Sequence, residues 1–367
     1  MNSDSNNLHV FAGKEAYRHI KHNGLKPDDI GMLLGASSGP KWLTLQAIDE
    51  YLLNEFFVGR TKELHLMGTS AGAWRMASFA VDMSAPTGKE SAHKRFTELY
   101  IEQRYSEKPS GKEILDTCRG IVKGLLKDGG AERILNHPYV RMNLITTQCH
   151  GLTSSNNKYL KMLGFGSASV LNAVSRKSLG SRFTRVVMHY PQDPSPSYKL
   201  DEIPTRYSAL TRDNLEDAIL STGSIPVLID GVKDVAGKGV YQDGGITDYG
   251  FDLPLLPKNG FVLYPPFSKF PAPGWFDKSW FFKNSKSKRC VKRTPSQENY
   301  SKTIMLVPSD SFIAGLPGGK IPDRHDFLNF DDAARIKNWR DVVSQTGRLA
   351  EELRTMNWSD RVQPLPW

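Results

Sequence analysis

Three short stretches of this chain hold the residue types needed to attack a carbonyl carbon. The first is Gly68-Thr69-Ser70-Ala71-Gly72, a serine set among small residues. It follows the short strand 64–67 and leads into a helical pattern over 71–81, so the serine falls at a strand-to-helix turn. Such a turn exposes its central residue, and the flanking glycines remove side chains that would collide. Ser70 then stands near the positive end of the following helix, where an alkoxide or oxyanion is stabilised. A serine hydroxyl is a weak nucleophile at its ordinary pKa and needs a base. The second stretch, Asp243-Gly244-Gly245, supplies a carboxylate in a glycine turn after a brief strand over 240–242. Partial burial raises a carboxylate's pKa and makes it a better base. The pattern is also that of a plain Asp-Gly turn. The third stretch, Gly35-Ala36-Ser37-Ser38-Gly39-Pro40-Lys41, closes the apolar run 30–34 and opens a helix. Its small residues let backbone N–H groups face an anion. It lacks the Gly-Lys-Ser/Thr ending of a phosphate-binding P-loop and the glycine spacing of a dinucleotide fingerprint.

The elements that must carry these residues alternate. Residues 13–24 read as a peripheral helix. Runs 30–34 and 64–67 read as short buried strands, each followed by a helix, the first of them carrying Trp42, Leu45, Ile48, Leu52 and Phe56 on one face. Strand, turn, helix, strand, turn, helix opens an α/β layered fold with a parallel sheet. Further strands are expected over 140–147, 183–189, 240–242, 261–264 and 303–307, and a helix over 213–222. Residues 88–135 read as a charged helical insertion or lid, and 155–182 as a second, Ser/Lys-rich excursion. In 265–302, the aromatics Phe267, Phe270, Trp275, Phe276, Trp280, Phe281 and Phe282 precede a basic run from Lys283 to Arg293. One amphipathic helix is expected over about 331–356, with Trp339 on its apolar face.

The 367 residues are ample for a large core. With 39% hydrophobic and 24% charged residues, the composition is that of a folded globular chain. A net charge of +9 favours anionic partners, phospholipid head groups among them. No nucleic-acid-binding module is recognisable. Cys118, Cys149 and Cys290 are too far apart for a metal-ligand pattern, and their odd number argues against a disulfide framework. Neither a signal-like apolar run at the N-terminus nor a run long enough to span a membrane is present, so a cytoplasmic protein, peripheral at the membrane at most, is expected.

In order and context, the three stretches resemble the patatin-like phospholipase family. That family carries a glycine-rich oxyanion loop, a Gly-x-Ser-x-Gly elbow and a late Asp-Gly-Gly or Asp-Gly-Ala turn. Leu220-Ser221-Thr222-Gly223-Ser224-Ile225-Pro226 is similar to the family's segment upstream of the aspartate. The resemblance covers roughly 28–257, with 88–135 and 155–182 as insertions and 258–367 as an extension packed on the same domain. It implies a three-layer α/β/α sandwich with a mostly parallel sheet. It further implies an acyl-ester hydrolase acting on lipid esters through a Ser70-Asp243 dyad, with no metal or cofactor. Gly35, Ala36, Ser37 and Ser38 would form the oxyanion hole, and Gly68, Gly72, Gly244 and Gly245 shape the turns. The loop departs from the family's Gly-Gly-Gly-x-Arg/Lys-Gly: Ala36 and Ser37 replace glycines, and Lys41 arrives two places late. Two other readings fit the residues. One is an α/β-hydrolase triad of Ser70, Asp243 and His325, the one histidine after Asp243. The other is a non-catalytic basic protein that binds lipid or a membrane through 265–302.

Overall fold

The computed structural model describes residues 6–83, 90–193, 201, 203–278, 293 and 295–367. Among the described residues eleven strands form one mixed sheet: β1 (Leu8–Ala12), β2 (Ile30–Gly35), β3 (Leu64–Thr69), β4 (Val140–Cys149), β5 (Phe183–His189), β6 (Thr205–Ala209), β7 (Val232–Lys233), β8 (Val240–Gln242), β9 (Phe261–Tyr264), β10 (Thr303–Pro308) and β11 (Val362–Pro364). Their order is β11-β1-β10-β9-β2-β3-β4-β5-β6, with β8 paired to β4 and β7 to β8. The central run β10-β9-β2-β3-β4 is parallel throughout. β2 and β3 are buried at every residue, as parallel strands covered on both faces must be; β2 is apolar throughout, and β3 buries His65 and Thr69 among its apolar residues.

Alternate residues of these strands serve two cores. Leu33 and Leu66 face a large cluster with the helices at Ala71–Asp82, Ala92–Ile101, Gly111–Leu125 and Leu215–Thr222 and the C-terminal helices. Met32, Leu34 and Met67 face a second cluster closed by Phe251, Leu253, Leu255 and Tyr300. The fold is therefore α/β in three layers around a mostly parallel sheet, as expected.

Several expectations change in detail. Residues 258–367 supply β9, β10 and β11 to the same sheet, and β1 from the N-terminus lies between β10 and β11, so both chain ends belong to the core layer. The C-terminal helix is two helices, Asp332–Gln345 and Gly347–Thr355. Thr346 breaks them: its hydroxyl donates to the Val343 carbonyl at 2.7 Å and accepts from the Ala47 N–H at 3.2 Å. After Pro40 the winding changes from 3-10 (Gly39–Leu45) to α (Gln46–Tyr51) to π (Leu52–Phe56). The apolar spacing widens in step, three residues from Trp42 to Leu45 to Ile48 and then four to Leu52 and Phe56, which keeps these side chains on one buried face. The second excursion holds a 17-residue helix, Lys158–Val174.

Candidate active site

β3 ends at Thr69, and Ser70 turns the chain into the Ala71–Asp82 helix with φ 54° and ψ −138°. That conformation is rare for a residue bearing a Cβ and persists only where surrounding structure holds it. Three contacts hold it. The Ser70 N–H donates to Thr222 Oγ1 at 2.9 Å, and the Thr222 hydroxyl donates to the Ile145 carbonyl at 2.5 Å. Thr69 Oγ1 donates to the Asp248 carbonyl at 3.0 Å. Deeper in the helix, Arg75 makes two bonds of 2.6–2.7 Å to Asp49, a fully buried pair that pins the helix to the Gln46–Tyr51 segment. The Ser70 carbonyl accepts from Ala73 and Trp74, leaving the first-turn N–H groups of Ala71 and Gly72 without intrahelical partners.

Asp243 arrives from β8, which is antiparallel to β4. Its N–H donates to the Ser224 carbonyl at 3.0 Å. The 221–224 turn therefore places both residues, Ser70 through Thr222 and Asp243 through Ser224. Ser70 Oγ donates to Asp243 Oδ2 at 2.7 Å, across 173 positions of sequence. The other oxygen, Oδ1, accepts from the Gly245 N–H at 2.7 Å and from Ser37 Oγ at 3.4 Å. Neither glycine after the aspartate leaves free room for a Cβ, Gly244 being closed in by backbone and Gly245 by side-chain atoms. A Cβ on Gly244 would lie 2.0 Å from the Ile145 carbonyl oxygen, and one on Gly245 would lie 2.4 Å from Ser37 Oγ.

Burial pushes the Asp243 carboxyl up to about 6, against the opposing hydrogen bonds from Ser70 and Gly245 and the charge of Lys278. Two lysines border the site. Lys278 Nζ lies 3.0 Å from the Tyr249 ring centroid, and Lys41 Nζ lies 4.7 Å from that of Phe267, itself edge-on to Tyr249. Loss of solvation holds Lys278 well below the ordinary lysine range, with Lys41 and Arg324 adding to the shift and Asp243 opposing it. Lys41 is lowered by burial as well. Neither ammonium ion-pairs with a carboxylate among the described residues.

The predicted oxyanion loop is placed beside the dyad and is partly spent. The Ser37 N–H donates to the Tyr249 carbonyl at 3.1 Å, so it is not free to hold an oxyanion; Ser37 acts here through its hydroxyl, on Asp243. Gly35 is the last residue of β2 and packs its backbone on Gly72. Ala36 and Ser38 remain with their backbones in the loop, and the buried Ser38 hydroxyl has no partner among the described residues. The Ala71 and Gly72 N–H groups, at the helix end expected beside Ser70, are further candidate donors outside the loop. Thr222 and Ser224 also lacked assigned roles; only the folded chain brings their turn under both catalytic candidates.

His325 is exposed at the start of the short Asp326–Asn329 helix, its backbone N–H donating to Asp323 at 2.7 Å. No ring nitrogen is among the hydrogen-bond partners of Asp243, whose oxygens are taken by Ser70, Gly245 and Ser37. Trp275 and Phe276 pack against Phe165 and, for Phe276, Phe183, in a third apolar cluster. Both are half-buried there. Trp280, Phe281, Phe282, Cys290 and the basic run as far as Lys292 lie outside the described residues. Glu63, His65 and Asp193 converge, but Lys258 and Arg141 already neutralise that cluster. No described helix is long and apolar enough to cross a membrane. Compared with known proteins, the chain matches no family model, no curated protein and no solved structure.

Proposed function

We propose that this protein is a serine acyl-ester hydrolase of the patatin-like type, working through Ser70 and Asp243. The observation that carries the reading is the 2.7 Å bond from a hydroxyl at a left-handed strand-to-helix turn to a buried carboxylate of raised pKa. Asp243 takes the Ser70 proton as Oγ attacks the ester carbonyl carbon. The carbonyl oxygen becomes an oxyanion at the first-turn N–H groups of Ala71 and Gly72, with the Ser38 hydroxyl as a further donor. Collapse breaks the ester C–O bond, and the proton on Asp243 passes to the departing alcohol. Water, deprotonated by the same carboxylate, then attacks the acyl carbon; the acyl–Oγ bond breaks, Asp243 returns the proton to Ser70 Oγ, and the acid is released. No step requires a metal. Lys41, Lys278 and Arg324 favour an ester whose leaving group bears negative charge, as a phospholipid or lysophospholipid does.

A fluorophosphonate probe tests nucleophile and base together. Labelling of the wild type, loss in Ser70→Ala and strong slowing in Asp243→Asn are expected. Labelling of Ser70→Ala at the wild-type rate would overturn the assignment.

A further inference from the structure

The helix at Lys158–Val174 is apolar on the wrong side. Lys161, Gly164, Phe165, Ala168 and Asn172 face inward. On the opposite face Tyr159 is 81% exposed, Leu163 61%, Val170 70% and Val174 87%, with Leu160, Met162 and Leu171 exposed beside them. Seven of the fourteen large exposed hydrophobics among the described residues thus fall on one helix. An apolar face of this size on a protein surface marks an interaction site. The helix is firmly seated, so the face is not a fraying end: Asn172 donates to Asp277 at 2.9 Å, Arg293 donates to the Asn172 carbonyl at 2.8 Å, and Asn157 caps the first turn.

Charge identifies what covers it. From Gly151 to Arg182 the chain contains no Asp or Glu. Lys158 at the start of the helix and Lys177 beyond its end are exposed, and neither they nor Arg182 form an ion pair among the described residues. Uncompensated cations bracketing an apolar stripe are the chemistry of a helix lying in the plane of a lipid surface that contains anionic head groups. A protein partner with an apolar groove would match the stripe but gives no reason for the complete absence of acids.

We infer that the 158–174 helix is a membrane-docking element that lays Tyr159, Leu163, Val170 and Val174 into an anionic lipid surface. The inference does not depend on the hydrolase reading, and its test uses Ser70→Ala protein so that vesicles stay intact.

Flotation with phosphatidylcholine vesicles, with and without about a quarter phosphatidylglycerol, reads the binding. The protein is expected to float with the anionic vesicles and to be released by high salt. Leu163→Asp with Val170→Asp should weaken flotation about tenfold or more. Lys158→Glu with Lys177→Glu should remove the preference for anionic lipid. Both pairs lie in water, so thermal melts should match the parent; if aspartate lowers the melt, the serine pair at 163 and 170 carries the same test. Unchanged flotation of the apolar variant, or no flotation of the parent, overturns the inference. So does a lipid-free dimer, seen by sedimentation velocity, that the aspartate pair converts to monomer, since a second copy would then cover the face.

Discussion

Gly72 and Gly35 meet backbone to backbone: a Cβ on Gly72 would lie 2.1 Å from the Gly35 carbonyl oxygen, and one on Gly35 would lie 2.3 Å from the Gly72 carbonyl oxygen. The Ser70 turn and the 35–41 loop are therefore pressed together with no room for a side chain. Gly72→Ala should destabilise the fold by about 1–3 kcal/mol, because backbone cannot swing aside as a side-chain tip can. It should also depress activity beyond what the lost stability explains. A thermal melt and the fluorophosphonate rate check both; a variant with wild-type melt and rate would refute the tight packing.

Asp243 is held at a cost to stability. Its carboxyl, raised to about 6, binds a proton more tightly in the fold than in the unfolded chain, whose value is about 4. Between those values the native state holds more protons, so this group's contribution to stability falls as pH rises and is lost above about 6. Asp243→Asn removes the buried charge while keeping acceptors for Gly245 and Ser37. It should lower turnover by about a thousandfold or more yet raise stability at neutral pH by about 1–3 kcal/mol. A lower melting temperature at pH 8, with folding otherwise intact, would contradict it.

Activity should follow the ionised form of the same group. The kcat/KM for a soluble ester is expected to rise through about pH 6 and level off above it, since only the carboxylate accepts the Ser70 proton. For substrates with an anionic leaving group an alkaline fall is also expected, at lower pH than an ordinary lysine, because Lys278 is held below that range by lost solvation. A profile flat from pH 5 to 8 would remove Asp243 as the base.

Thr222 should behave as a positioning residue. Its hydroxyl both accepts from the Ser70 N–H and donates to the Ile145 carbonyl, so Thr222→Val strands two buried polar groups. A loss of about 1–3 kcal/mol is expected, with kcat falling more than KM rises. Thr222→Ser keeps the hydroxyl and should restore most of the activity. Equal kinetics for the valine and serine variants would assign the hydroxyl a purely structural part.

His325 should be dispensable as a base. Exposed and unbonded to Asp243, it offers no route for the Ser70 proton. His325→Ala should stay within about threefold of wild type, whereas removal of a triad histidine costs orders of magnitude. Esterase turnover measures it directly.

The sequence by itself determined the local chemistry. Short, mainly apolar runs ending in glycine read as covered strands, and a serine between small residues at the end of one reads as a sharp turn into a helix. Asp243-Gly244-Gly245 was readable as a turn, but nothing local distinguished it from any other Asp-Gly. Its meaning came from tertiary structure: β8 lies antiparallel on β4, which carries the carboxylate to within 2.7 Å of Ser70. The same long-range placement committed the Ser37 N–H to Tyr249 and assigned Thr222 and Ser224 their work. The strands at Leu8–Ala12 and Val362–Pro364 were not read from the sequence; their place in the sheet comes from pairing with each other and with β10. The helix at Lys158–Val174 shows the converse. Its apolar residues were in plain view, but which of them face water depends on the packing of Phe165 and Asn172, and packing is decided by the whole chain at once.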